Sequence, residues 1–105
     1  MFITKKNEYA LLQFKRDYSS PDDKAGKQKF QKIIFYELNK NGSHTNGTTV
    51  EEMLRVSIER LKDLNSRFEC KENIKAIASA KEALKLLNQR TKNRKARGVE
   101  GKHML

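Results

Sequence analysis

Apolar residues recur at Val50, Met53, Leu54, Ile58, Leu61, Leu64 and Phe68, close to the period of one buried helical stripe. The opposite positions, Glu51, Arg55, Glu59, Lys62 and Asp63, are charged. Thr49-Val50-Glu51-Glu52 opens this run as a capping box, with the threonine hydroxyl capping and Glu52 reaching back to the backbone. A second stripe follows at Ile74, Ile77, Ala80, Leu84 and Leu87, predicting a helix over 72–97. Ala76, Ala78 and Ala83 keep its side chains small and allow close approach. Weak helix formers around Asn65-Ser66 and Glu69-Cys70 place a turn near Arg67 to Cys70. Two helices joined so tightly pack antiparallel. The alternative is one continuous helix, because neither Gly nor Pro breaks the chain there.

The segment Phe30 to Leu38 is rich in β-branched and aromatic residues and reads as a strand. Two Asn-Gly steps follow it, Asn41-Gly42 and Asn46-Gly47, each the signal of a tight turn with positive φ. Tyr9, Leu11, Leu12, Phe14 and Tyr18 give a partly helical pattern, so a short helix is expected from about Asn7 to Asp17; Met1-Phe2-Ile3-Thr4 is compatible with strand. The stretch from Ser19 to Lys27 holds the only proline and reads as a loop. The expected fold is therefore α+β and mostly α. Residues 1–29 are an N-terminal extension, partly helical or mobile. Residues 30–48 are a short strand and turn region, and 49–105 a helical-hairpin domain with a basic end.

The chain has 105 residues, 36% of them hydrophobic and 34% charged, with a formal net charge of +10. A chain this short and polar supports only a small core. Self-association is the expected means of completing it. The basic excess favours polyanionic partners. A single cysteine, Cys70, excludes an intramolecular disulfide and a thiolate-rich zinc site. No segment approaches transmembrane length or resembles a signal peptide, so the chain reads as cytosolic. His44 and His103 sit in polar segments where a histidine is ordinarily just solvated. No carboxylate pair or glycine-rich phosphate loop marks catalysis. No enzyme activity, metal or cofactor is expected.

The candidate site lies where the second helix ends. Arg90, Arg94 and Arg97 are spaced i, i+4, i+7 and put three guanidinium forks on one face. Such forks suit an anion with several oxygens, a phosphate above all. Favourable interaction with the helix dipole accounts for one or two cations there. It does not account for Arg90, Lys92, Arg94, Lys95, Arg97 and Lys102 together, because like charges repel. Gly98 would let a ligand approach the backbone closely. Tyr36 is the nearest outward-facing aromatic for stacking on a base.

From about Ile33 to His103 the chain resembles the helical-hairpin domain of phage anti-CBASS and anti-Thoeris proteins, the cyclic-nucleotide sponges. Its matching pieces are the strand, Asn46-Gly47-Thr48-Thr49, Ile58-Glu59-Arg60-Leu61 and the junction Cys70-Lys71-Glu72-Asn73. Ala76-Ile77, Glu82-Ala83-Leu84 and the ending Arg90-Thr91, Arg94 and Arg97-Gly98-Val99-Glu100-Gly101 complete the pattern. The resemblance implies binding and sequestration of immune second messengers without cleavage, inside the host bacterial cytoplasm. Cyclic di- and trinucleotides and glycocyclic ADP-ribose are the ligands it implies. It also implies a homo-oligomer, specifically a hexamer, with pockets between protomers. Lys71 and Asn73 would then reach a neighbour's ligand from the other helix end. Lys71 stands where arginine is expected, which leaves a point charge in place of a fork. The alternative function is a small basic phage protein that binds DNA or RNA.

Overall fold

A computed structural model describes residues 1–18 and 25–98. These divide into two compact units, one of residues 1–37 and 44–48, the other of 38–43 with the chain from Thr49 onward.

The first unit is built on an antiparallel sheet of β1 (Phe2–Lys5), β2 (Glu8–Leu12) and β3 (Phe30–Ile34), in that order. The helix expected over Asn7 to Asp17 is not formed. Asn7 takes a positive φ of 64° and, with Lys6, makes the two-residue link that turns β1 into β2. Asparagine is among the few residues that tolerate that conformation. The run Tyr9-Ala10-Leu11-Leu12 imitates a helical pattern because β2 is covered on both faces. Glu8 and Ala10 are buried on one side, and Tyr9 and Leu11 are half-buried on the other. Lys32 of β3 forms an ion pair with the buried Glu8 at 3.4 Å. Because β2 pairs with β3 from Glu8↔Ile34 to Leu12↔Phe30, residues on either side of 29 share one sheet.

The strand expected from Phe30 to Leu38 is split. Its hydrogen bonding changes partner at Phe35 and Tyr36: the Phe35 N–H goes to the Asn7 carbonyl at 2.8 Å, and the Tyr36 N–H to the Thr48 carbonyl at 2.8 Å. β4 (Glu37–Leu38) then pairs with β5 (His44–Thr45) as a short ribbon. Of the two Asn-Gly steps, Asn41-Gly42 is the turn expected, with φ 86° at Gly42. Asn46-Gly47 is not; Gly47 is absent from the positive-φ residues and serves a close approach instead.

The second unit is the helical hairpin, α1 (Val50–Arg67) and α2 (Lys71–Ala96). Thr49 caps α1 as expected, its hydroxyl oxygen accepting the Glu52 N–H at 3.1 Å. The Glu52 carboxylate turns to Arg55 instead of back to the cap. Losing such a cap costs about 1 kcal/mol. Thr49→Ala should therefore lower hairpin stability by that amount in urea unfolding followed by circular dichroism at 222 nm.

A real break separates the helices. Phe68 ends α1, and Cys70 begins α2, its sulfur accepting the Asn73 N–H at 3.4 Å. Asn65 braces the turn through its side-chain oxygen, which accepts the Cys70 N–H at 3.1 Å. The antiparallel hairpin is thus formed, and the continuous helix is not. Its interior is thin. Ile58, at 4% exposure, is the only buried residue of either helix, while Met53, Leu54, Leu61, Leu64, Ile77, Leu84 and Leu87 are half-buried. Phe68 and Ile74, expected in the apolar stripes, are exposed.

Candidate functional site

The basic end of α2 stays helical through Ala96 despite its like charges. Part of the support is local: Gln89 donates its side-chain amide to Asn93 Oδ1 at 2.9 Å, one turn on. Arg97 closes the helix, donating its N–H to the Asn93 carbonyl at 3.1 Å. Gly98 follows with φ 69° and donates to the Lys95 carbonyl at 3.0 Å. This is the left-handed glycine ending that satisfies the last carbonyls of a helix. Among the described residues, apart from its chain neighbours and the helix's own nearby backbone, no atom lies within 4 Å of where a Cβ on Gly98 would sit.

At 3.6 residues per turn, Arg94 and Arg97 project within about 40° of Arg90 around the helix axis. The three arginines therefore share a face, as their spacing predicts. They are not equivalent. Arg90 donates to Glu51, the second residue of α1, at 3.2 Å, and Glu51 retains only 17% exposure. This contact ties the start of α1 to the end of α2 and is a direct consequence of antiparallel packing. Arg94 is half-buried, whereas Arg97 is exposed. Val99 to His103, which include the rest of the glycine motif and Lys102, lie outside the described residues.

The other expected site residues lie elsewhere. Lys71 and Asn73 open α2, so about 28 Å of helix separates Lys71 from Arg90 within one chain. The Asn73 side-chain amide donates to the Phe68 carbonyl at 3.3 Å and is engaged in the interhelical turn. Tyr36 belongs to the first unit. It is 42% exposed, while its neighbour Phe35 turns inward to an edge-on contact with Tyr9 at 5.6 Å between ring centres. His44, expected to be simply solvated, stacks on the Tyr36 ring at 5.4 Å and hydrogen bonds its hydroxyl through Nδ1. One ring face of Tyr36 is thereby occupied. Nothing in the spacing of Tyr36 and His44 announces the pair; it depends on β4 and β5 coming together. Cys70 is exposed and serves as the α2 cap.

Among the described residues, no group of His, Cys, Asp and Glu could hold a metal ion, and no helix is long and apolar enough to cross a membrane.

No protein-family profile matches the chain. Over 59 residues it is 48% identical to a protein named Thoeris anti-defense 1 from Bacillus phage SBSphiJ7, a match that covers 55% of this chain. The chain spans only 42% of that relative's length. The resemblance to the phage anti-Thoeris family, expected from its motifs, is thus shown over those 59 residues.

Proposed function

We propose that this chain is a phage anti-defence protein that captures a small cyclic nucleotide or cyclic ADP-ribose-type immune messenger and keeps it intact inside the host cell. The observation that supports this most is the common face of Arg90, Arg94 and Arg97, ending at an open glycine. Guanidinium forks hold phosphate oxygens bidentately, and the glycine adds no side chain that would obstruct a ligand reaching them. The anti-defence name of the relative points in the same direction.

Sequestration needs affinity and no bond cleavage. Arg97 is the most available fork, being exposed. Arg90 reaches the ligand while already oriented by Glu51, so less side-chain freedom is lost on binding. Lys71 and Asn73 join the same ligand only if a second protomer brings its α2 start beside this α2 end. The sparse interior supports such assembly into a homo-oligomer. Val50, Val56 and Leu86 are 51%, 60% and 61% exposed, and a partner would take them out of water. A hexamer with ligands held between subunits is the assembly proposed. Tyr36 would offer its remaining ring face to a base.

The test is uptake and release. The protein is incubated with each of a cyclic dinucleotide, a cyclic trinucleotide and glycocyclic ADP-ribose, separated from free ligand, then heated. Return of unaltered ligand is expected. A hydrolysed product would make the protein an enzyme, and no uptake of any of them would remove the proposal.

A further inference from the structure

α2 carries a second cationic face that the arginine site does not use. Lys81, Leu84, Lys85, Asn88, Gln89 and Lys92 line a shallow, open depression of about 400 Å³ on one side of the helix. Their spacing is i, i+3, i+4, i+7, i+8, i+11, which keeps all six on one strip. By helical geometry the three lysines lie about 140–180° around the axis from Arg90. The half-buried apolar stripe of Ile77, Leu84 and Leu87 separates the two cationic faces on one side.

The lysines of this strip are exposed, and no ion pair compensates any of the three among the described residues. The cations of α1 differ: Arg55, Arg60, Lys62 and Arg67 all face carboxylates, as does Arg90 of α2. Glu82 projects about 60° around the helix from Lys85, at the edge of the strip, and forms no ion pair with it. The strip therefore presents a straight row of point charges about 16 Å long, with two amides between them that donate and accept hydrogen bonds.

We propose that the Lys81–Lys92 face is a second anion-binding surface that lies along the sugar–phosphate backbone of a nucleic-acid duplex. The chemistry of the lining selects this partner. Lysines grip phosphates as point charges without demanding forked geometry. Each lysine of the row can meet a phosphate of one strand. No aromatic residue lines the depression, so it lacks the stacking platform that a single strand uses. Contacts of this kind position a protein on a duplex and carry no sequence information.

Fluorescence anisotropy of a labelled mixed-sequence DNA duplex tests it, with salt varied from about 50 to 200 mM. The double variant Lys81→Gln, Lys85→Gln should shallow the log–log salt slope by about 1.8, since each phosphate contact contributes about 0.9. Over that salt range the wild type then loses roughly twelvefold more affinity than the variant. The triple variant Arg90→Ala, Arg94→Ala, Arg97→Ala should keep the wild-type slope to within about one contact. Messenger uptake by the lysine variant should equal that of the wild type, which separates this proposal from the arginine site. An unchanged slope in the lysine variant, a loss that follows the arginines instead, equal binding of a single strand, or no duplex binding by the wild type would each overturn it. So would loss of messenger uptake in the lysine variant. Circular dichroism at 222 nm confirms that both variants keep the hairpin.

Discussion

Arg97→Ala should weaken messenger binding by roughly tenfold to a hundredfold, and Arg90→Ala by less. A hydrogen bond to a charged group contributes about 1.5–3 kcal/mol, and each 1.4 kcal/mol is a factor of ten in affinity. Arg97 is exposed at the end of α2, so its removal takes away a fork that a phosphate would use alone. Arg90 already donates to Glu51, so in the proposed complex it would divide its donors between the ligand and that carboxylate. Part of its contribution is already made in the free protein, so truncation subtracts less from binding. Its removal also breaks the α1–α2 tie, a pair exposed on its Arg90 side and screened there by water, whose contribution to stability is about 1 kcal/mol. The two substitutions thus separate by readout: Arg97→Ala lowers affinity with stability unchanged, and Arg90→Ala lowers both slightly. Isothermal titration with the messenger, beside urea unfolding at 222 nm, checks the ranking. Equal affinities for Arg97→Ala and the wild type would remove Arg97 from the site.

The hairpin was legible because its determinants are local. A stripe of period near 3.6, a threonine cap and a pair of weak formers around Asn65 and Cys70 all act within a few residues of chain. The common face of the three arginines follows from the same geometry. What the α2 residues meet across the hairpin is not local, so the pairing of Glu51 with Arg90 is not written in the sequence around either residue. A carboxylate in the first turn of α1 reads as a dipole-friendly residue. Only the antiparallel fold makes it the partner of Arg90, 39 residues away.

The N-terminal sheet is hidden in the sequence for a related reason. β2 is lined on both faces, so its apolar residues run consecutively and the alternation that marks a strand is lost. The link at Lys6-Asn7 has no glycine to announce it; asparagine alone supplies the positive φ. The break at Phe35-Tyr36 is invisible locally, because it arises where the hydrogen-bond partner changes from the Asn7 carbonyl to that of Thr48. Tyr36 faced outward as alternation required, yet the histidine covering one side of its ring came from a second short strand.

That change of partner makes Gly47 the most demanding position of the first unit, and Gly47→Ala should destabilise it by roughly 2–3 kcal/mol or more. A Cβ on Gly47 would sit 2.5 Å from the Phe35 carbonyl carbon, 2.6 Å from the Ile34 oxygen and 2.7 Å from the Tyr36 nitrogen. All three are backbone atoms, which cannot rotate aside as a side chain can. The clash falls on the two hydrogen bonds that hold the segment, Thr48 N–H to Ile34 O at 2.9 Å and Tyr36 N–H to Thr48 O at 2.8 Å. Relief requires the strands to separate, and with them the Tyr36–His44 stack. The chain offers a direct readout. It has no tryptophan, and Tyr9, Tyr18 and Tyr36 all belong to the first unit, whereas both helices belong to the second. Tyrosine fluorescence in urea should therefore shift to lower denaturant for Gly47→Ala, with the 222 nm signal reporting whether the hairpin still folds. A Gly42→Ala substitution is the contrasting control, since the space there is open and the cost is the left-handed φ of 86° alone. If the tyrosine-reported midpoint for Gly47→Ala matches the wild type, the close approach at Phe35 does not exist in solution, and the split of the strand there falls with it.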